Sequence, residues 1–195
     1  GLAYPLDESR SPSAPHREDD DSALYTDEII RGASWEASQL GYSVFACAIR
    51  STKDPKVHPL QQLYTAVDGI ILVDRVVNNV RAMRIAKRMH TVHLSGSGSS
   101  SFGGTIQIDN ASGIEAIVTH LSSVHGVTDF GFVGGVKESP DAVARFEAFT
   151  RVVAQVGGVI HEDNVLTADF SLTRAEEVLG SRLSSSSPLP QAFVC

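Results

Sequence analysis

The sequence Thr128-Asp-Phe-Gly-Phe-Val-Gly-Gly-Val-Lys-Glu-Ser-Pro-Asp-Ala-Val-Ala-Arg145 predicts a buried strand that runs through a glycine turn into a helix. The apolar run 130–133 supplies the strand, and the two glycines after it permit a tight turn. Pro140 suits the first turn of a helix, which either Ser139 or Asp141 can cap. The stretch therefore indicates one strand–turn–helix unit of an α/β fold.

Arg145 lies in the second turn of this predicted helix. Its guanidinium can donate to hydroxyls or to a carboxylate near the strand end. Ligands of open parallel sheets bind beyond the carboxyl ends of the strands, so the junction predicts a small-molecule site. By composition alone, a solvated surface arginine explains Arg145 more simply.

The composition is that of a globular protein and argues against a nucleic-acid-binding surface. The chain has 195 residues, of which 42% are hydrophobic and 20% charged, and this is enough for one large or two small domains. A net charge of −7 without a Lys/Arg cluster disfavours direct DNA binding. We expect a cytoplasmic protein, since no signal peptide or membrane-length apolar run is present. Cys47 and Cys195 lie in apolar runs and are expected to be buried free thiols.

Strand and helix patterns alternate along the chain, which predicts an α/β fold with parallel sheets. The predicted strands are 1–6, 42–49, 69–73, 91–94, 105–108, 130–133, 159–166 and 192–195. The predicted helices are 24–40, 57–66, 79–89, one through 114–121, one through 146–156, and 172–183. Two segments, 7–21 and 184–190, are predicted to be exposed loops, and 95–104 an irregular Ser/Gly connection.

Taken in order, these segments resemble the effector-binding domain of the LacI/GalR family of bacterial transcriptional regulators. The motifs that carry the resemblance are Glu28-Ile-Ile-Arg-Gly32, Leu40-Gly-Tyr42, Val67-Asp-Gly-Ile-Ile-Leu-Val73, Ile108-Asp-Asn-Ala-Ser-Gly113, Thr119-His-Leu121, Phe130–Gly135, Ser139-Pro140, Arg145 with Phe149, Ala168-Asp-Phe170 and Ala192–Cys195. Each motif is weak alone, but their order and spacing match along nearly the whole chain.

The resemblance implies a periplasmic-binding-protein-like type I fold, with two Rossmann-like parallel-sheet lobes of which the second is incomplete. The first lobe is expected at 1–108, with 7–21 as a loop insertion, and the partial second lobe at 109–195. The family's domain senses a sugar or small metabolite without a cofactor and works as a homodimer. It reaches DNA only through an attached helix-turn-helix headpiece, which this sequence lacks. We expect the chain to be a fragment cut at its C-terminal side.

The resemblance also implies which residues contact the effector in the second lobe. Arg145 would anchor effector hydroxyls, Phe170 would stack on the effector ring, and Asp141 would line the cleft. Without the family resemblance, Phe170 is more simply explained as a core residue, and Asp141 is equally well explained as a helix cap.

First-lobe contacts would come from Leu24 and Tyr25, and Ser95 occupies another cleft-lining family position. Two departures weaken these assignments. The insertion before residue 24 can displace Leu24 and Tyr25, and the Ser95 position is commonly acidic in the family. The sequence also stops before the family's Ala-Asn-Asp segment, which supplies a common effector ligand.

Other functions find little support in the sequence. The glycines of 96–104 match neither a dinucleotide motif nor a P-loop, and Ser97 lacks the spacing of a nucleophile elbow. His90 and His93 point to opposite faces of a strand, so no metal site is predicted. No nucleophile–base or paired-carboxylate pattern indicates an enzyme. A solute-binding protein of a sugar transport system is the alternative; it needs a secretion signal ahead of Gly1, where the regulator needs a helix-turn-helix.

Overall fold

The computed structural model describes residues 1–5, 21–49, 60–73, 79–95, 103–137 and 139–195. These residues form two compact units, one built mainly from the chain before Ile108 and one from Ile108–Cys195. Residues 7–20 of the loop predicted at 7–21, and most of the Ser/Gly connection, lie outside the described residues. No described helix is long and apolar enough to cross a membrane.

The first unit contains a five-stranded parallel sheet. Its elements are β1 (Leu2–Pro5), α1 (Asp21–Gln39), β2 (Ala46–Ile49), α2 (Leu60–Leu63), β3 (Gly69–Val73), α3 (Asn79–Ala86), β4 (His90–Leu94) and β5 (Gly104–Ile106). The strand order is β2-β1-β3-β4-β5, and every neighbouring pair is parallel. The fully buried residues Leu2, Leu60 and Leu72 lie in its core. Burial on both faces explains why β3 reads as a continuous apolar run.

The second unit contains a three-stranded parallel sheet. Its elements are α4 (Asn110–His125), β6 (Asp129–Gly134), α5 (Pro140–Gln155), β7 (Val159–Thr167), α6 (Leu172–Leu183) and β8 (Ala192–Val194). The strand order is β7-β6-β8. Helices α4 and α5 pack against each other, and α6 packs on β7. Rings of Phe130, Phe132 and Phe149 form the centre of the core, with the last two 4.8 Å apart.

Local chemistry defines the ends of α4. The Asp109 carboxylate accepts hydrogen bonds from the Ser112 backbone N–H at 3.0 Å and from its hydroxyl at 2.7 Å. These bonds cap the helix and lower the pKa of Asp109, because they favour its charged form. The helix ends at His125, and the cap residue Gly126 that follows has a left-handed φ of 67°, which suits glycine.

The observed fold class is the expected one: two parallel-sheet units, the second with fewer strands. Strand β3 and helix α6 have the predicted bounds. Helix α1 begins at Asp21, inside the stretch predicted as a loop, and β2 begins only at Ala46 rather than at residue 42. The helix was predicted to run to Leu40, but it ends at Gln39, and Leu40 is 65% exposed.

The two cysteines differ from one another. Cys47 in β2 is half-buried, but Cys195 is exposed, so its predicted burial is wrong. The reason is that β8 ends at Val194, and Cys195 therefore follows the last sheet residue.

Segment 184–190 is largely exposed, as predicted, but the buried Arg182 anchors it. The Nε of Arg182 donates to the Asp163 carbonyl at 3.0 Å and to Asn164 Oδ1 at 2.8 Å, both on β7. Its terminal nitrogens donate to three acceptors of the segment, namely Ser185 Oγ, the Ser187 carbonyl and the Pro188 carbonyl. One arginine therefore joins α6, β7 and the chain that leads into β8.

Candidate functional site

The carboxyl ends of β6 and β7 lie side by side in the second unit. The Ala168 backbone N–H donates to the Gly134 carbonyl at 2.7 Å, which aligns the two strand ends. Beyond them, Asp169 and Phe170 adopt left-handed φ values of 54° and 58°. Such values are costly for residues with a Cβ and are found where the surrounding structure requires them. The turn they make carries the Phe170 side chain back over β6.

The Phe170 ring lies on Gly135, directly after β6. A Cβ added to Gly135 would be 2.2 Å from ring atoms, so only glycine leaves room for the ring in this position. Phe170 remains 37% exposed. It therefore presents part of an aromatic face at the strand ends instead of joining the Phe130 core.

Arg145 lies beside this ring. Its guanidinium carbon is 6.0 Å from the centroid of Phe170, within the range of a cation–π contact. Its Nε donates to Asn110 Oδ1 at 2.7 Å. Within the described part of the chain, the two terminal nitrogens of Arg145 donate to no protein group. They are the donors that a bound molecule could use.

Asn110 joins Arg145 to Asp141. It is only 7% exposed, and its Nδ2 donates to Asp141 Oδ1 at 2.7 Å and to the Ile108 carbonyl at 3.4 Å. Its Oδ1 faces Arg145. The amide thus separates the guanidinium from the carboxylate, and no direct ion pair joins these two described side chains. The same amide therefore holds a guanidinium and a carboxylate by hydrogen bonds to each.

The structure brings together Arg145, Asp141 and Phe170, three of the six residues that the sequence predicts. Helix α5 begins at Pro140 with Ser139 in the N-cap position, but the Ser139 side chain makes no capping hydrogen bond. Asp141 lies in the first turn and bonds Asn110. Their predicted contacts with an effector stay predictions.

The other three predicted residues belong to the first unit. Leu24 and Tyr25 lie in α1, and Tyr25 is 48% exposed. Ser95 directly follows β4, is only 7% exposed, and has a left-handed φ of 55°. Its backbone N–H donates to the Ile106 carbonyl at 2.9 Å. Their role in effector binding is likewise untested by this geometry.

Asn110 is the residue that sequence reasoning misses. It appears there only as a letter of the motif 108–113, with no role of its own. Its partners are 31 and 35 residues further along the chain. The available signal was the Asp-Asn pair at a helix start, which suggests capping, and it is Asp109 that caps α4.

The described residues hold no cluster of three or more His, Cys, Asp or Glu side chains that could bind a metal ion. On β4, His90 is exposed and His93 is buried.

These features describe an α/β protein with two parallel-sheet units and, in the second, a polar and aromatic cluster beyond β6. No family model and no curated protein matches the chain by sequence. Solved structures do match it, and several LacI-family transcriptional regulators are among them. The sugar-binding regulator of this family from Enterococcus faecalis gives a TM-score of 0.75 at 17% identity and is aligned over 98% of this chain and 64% of that one.

Two further structures agree. The LacI transcriptional regulator from a Rhodococcus species gives a TM-score of 0.73 at 18% identity, covering 98% of this chain and 65% of the other. The regulator from Bifidobacterium animalis subsp. lactis gives 0.71 at 21% identity, with 98% and 64% covered. The chain therefore has the fold of the LacI-family regulators, as the sequence motifs indicate, and spans less than two thirds of their length.

Proposed function

We propose that this chain is the effector-sensing region of a LacI-type transcriptional regulator and that its effector is a sugar or a related polyhydroxylated metabolite. The observation that carries the proposal is the cluster of Arg145, Asn110 and Asp141 beside the partly exposed ring of Phe170. The neighbour from Enterococcus faecalis, described as a sugar-binding regulator, supports the same ligand class. The chain performs no chemistry in this proposal.

The cluster suits hydroxyl groups because it offers donors and an acceptor side by side. The terminal nitrogens of Arg145 donate, while Asp141 accepts through the oxygen that Asn110 does not use. A hydroxyl can donate to the carboxylate and accept from the guanidinium at once. The apolar face of a sugar ring gains buried area against Phe170. A strongly anionic effector is less suitable, since the Asp141 carboxylate would repel it.

Effector binding would regulate an attached helix-turn-helix headpiece through a homodimer, by favouring one arrangement of the domain over another. The residues encoded ahead of Gly1 test this part of the proposal directly. A helix-turn-helix and hinge there support the regulator. A secretion signal there contradicts it and favours the solute-binding protein of a transport system.

Thermal unfolding tests the site itself. We expect one class among monosaccharides, disaccharides and nucleobases to raise the melting temperature of the chain, since a ligand at a hundred times its Kd stabilises a protein by about 2.7 kcal/mol. Arg145→Ala should abolish this shift.

Arg151→Ala is the matched control, because Arg151 is an exposed arginine of the same helix that faces Glu115. It should keep the full ligand shift. An equal shift in both variants would show that Arg145 does not hold the effector.

A further inference from the structure

His120 and His125 approach one another at the carboxyl end of α4, in the second unit. Both are exposed, their Nε2 atoms are 3.1 Å apart, and the ring planes meet at 73°. The two residues are five positions apart, whereas neighbours on a helix surface are three or four apart. Sequence spacing therefore gives no indication of the pair, and its closeness is a finding of the structure.

The two rings are inclined to one another, with their Nε2 atoms in hydrogen-bonding contact. The ring centroids are 4.9 Å apart, and the Nε2 atoms are 3.1 Å apart. The difference between these distances is smaller than the sum of the two centroid-to-nitrogen distances. In a head-on arrangement, the centroid separation would exceed the nitrogen separation by the full sum of the two centroid-to-nitrogen distances. Zinc and related ions bind imidazole nitrogen at about 2.0–2.1 Å, so two nitrogens on adjacent positions of one ion lie about 3 Å apart. The observed separation has this value.

The helix end adds a second, independent feature that favours a cation. His125 is the last residue of α4, and Gly126 is its left-handed cap. The carboxyl end of a helix carries a partial negative charge, which stabilises positive charge placed beside it. The net charge of −7 acts in the same direction.

We propose that His120 and His125 together bind one divalent transition-metal ion through their Nε2 atoms, with water completing its coordination. Imidazole is a suitable ligand for Cu²⁺, Ni²⁺ and Zn²⁺, and the Irving–Williams order places Cu²⁺ as the tightest of the three. Two ligands held by one rigid helix chelate the ion, so the pair binds far more tightly than a single surface histidine. The site is separate from Arg145 and independent of the proposed effector.

Calorimetric titration of the 195-residue chain with CuCl₂, NiCl₂ and ZnCl₂ tests the proposal, with the nitrogen hyperfine structure of bound Cu²⁺ as a second readout. We expect one tight equivalent bound through two imidazoles. His120→Ala and His125→Ala should each weaken it about a hundredfold, the usual gain from linking two binding events.

His161→Ala is the control, since His161 is an exposed single histidine of β7 whose ion-pair neighbour is Asp129 at 4.0 Å. It should leave the tight equivalent unchanged, and so should Arg145→Ala, whatever happens to effector binding. Circular dichroism establishes that each variant is folded. Several weak, equivalent sites in the unsubstituted chain, or a tight site that survives both pair substitutions, would overturn the proposal.

Discussion

The guanidinium of Arg145 lies over the ring of Phe170, with 6.0 Å between its central carbon and the ring centroid. Neither side chain is placed by its own segment alone. Asn110, from the preceding helix, holds the Arg145 Nε, and Gly135, at the end of β6, leaves the space that the ring fills. Asn110 and Gly135, which need not touch an effector, therefore determine where the side chains of Arg145 and Phe170 lie.

Gly135→Ala should displace the Phe170 ring, because the new methyl group would lie 2.2 Å from ring atoms. The ring is partly exposed and can swing outward, so we expect a loss of stability no larger than about 1 kcal/mol. The effector-induced rise in melting temperature should shrink markedly. Urea unfolding and the ligand melting shift measure the two effects.

Gly113→Ala is the matched glycine control, because a Cβ there meets no atom within 4 Å and Gly113 lies inside α4. It should stabilise the chain by about 0.5–1 kcal/mol, since alanine has the higher helix propensity. An unchanged ligand shift in Gly135→Ala would mean that the ring position is irrelevant to binding.

Asn110→Ala should lower the free energy of unfolding by about 2 kcal/mol, because charged groups of Arg145 and Asp141 lose a buried hydrogen-bonding partner. Chemical denaturation measures the change. Ser123→Ala, at an exposed position of the same helix, should change it by less than about 0.5 kcal/mol. Equal stabilities of the two variants would contradict the bridging role of Asn110.

Arg182→Ala should cost about 3 kcal/mol, because it removes a buried guanidinium and leaves acceptors on β7 and in 184–190 without their donor. Arg174→Ala provides the comparison on the same helix. Arg174 forms an exposed pair with Glu177, and its loss should cost less than about 1 kcal/mol. If both variants unfold at the same urea concentration, Arg182 does not anchor the segment.

The stability of the chain should fall on mild acidification because of His93. Burial lowers the pKa of this side chain from its usual 6.5. Between the lowered value and 6.5 the unfolded chain binds the proton more readily, so the free energy of unfolding decreases as the pH falls through this window. His93→Gln should flatten the decrease, whereas His90→Gln, at an exposed position, should not. Urea midpoints from pH 7.5 to pH 5 measure the difference.

Sequence patterns were most informative where local chemistry and burial agree. Strand β3 is a continuous apolar run between polar segments, and α6 is an amphipathic helix, so their bounds followed from periodicity. The start of α1 was missed because the acidic residues before it resemble a solvated loop. The end of α1 at Gln39 rather than Leu40 was missed because helical periodicity indicates a face but not the residue at which the helix ends.

The candidate site was foreseeable only in part. Arg145 and Asp141 lie on one short helical stretch, so their proximity follows from spacing. The role of Asn110 depends on how α4 packs beside α5, and the position of Phe170 depends on two successive left-handed residues. Neither this helix packing nor the left-handed backbone of Asp169 and Phe170 can be predicted from the local sequence, because tertiary contacts impose both.

The sheet of the second unit has a kinetic consequence. Strand β8 pairs with the central strand β6. Just before β8, the side-chain oxygen of Gln191 accepts hydrogen bonds from the backbone N–H groups of Thr128 and Asp129, and Asp129 lies 62 residues earlier in the chain. One edge of β6 therefore has no partner strand until β8, which follows α5, β7 and α6 in the chain, joins the sheet. Such non-local pairing slows folding and exposes apolar strand edges in the meantime. Within the second unit, we expect the pairing of β6 with β8 to be the last step of folding. We expect Arg182, which holds the segment that leads into β8, to determine how quickly the two strands pair.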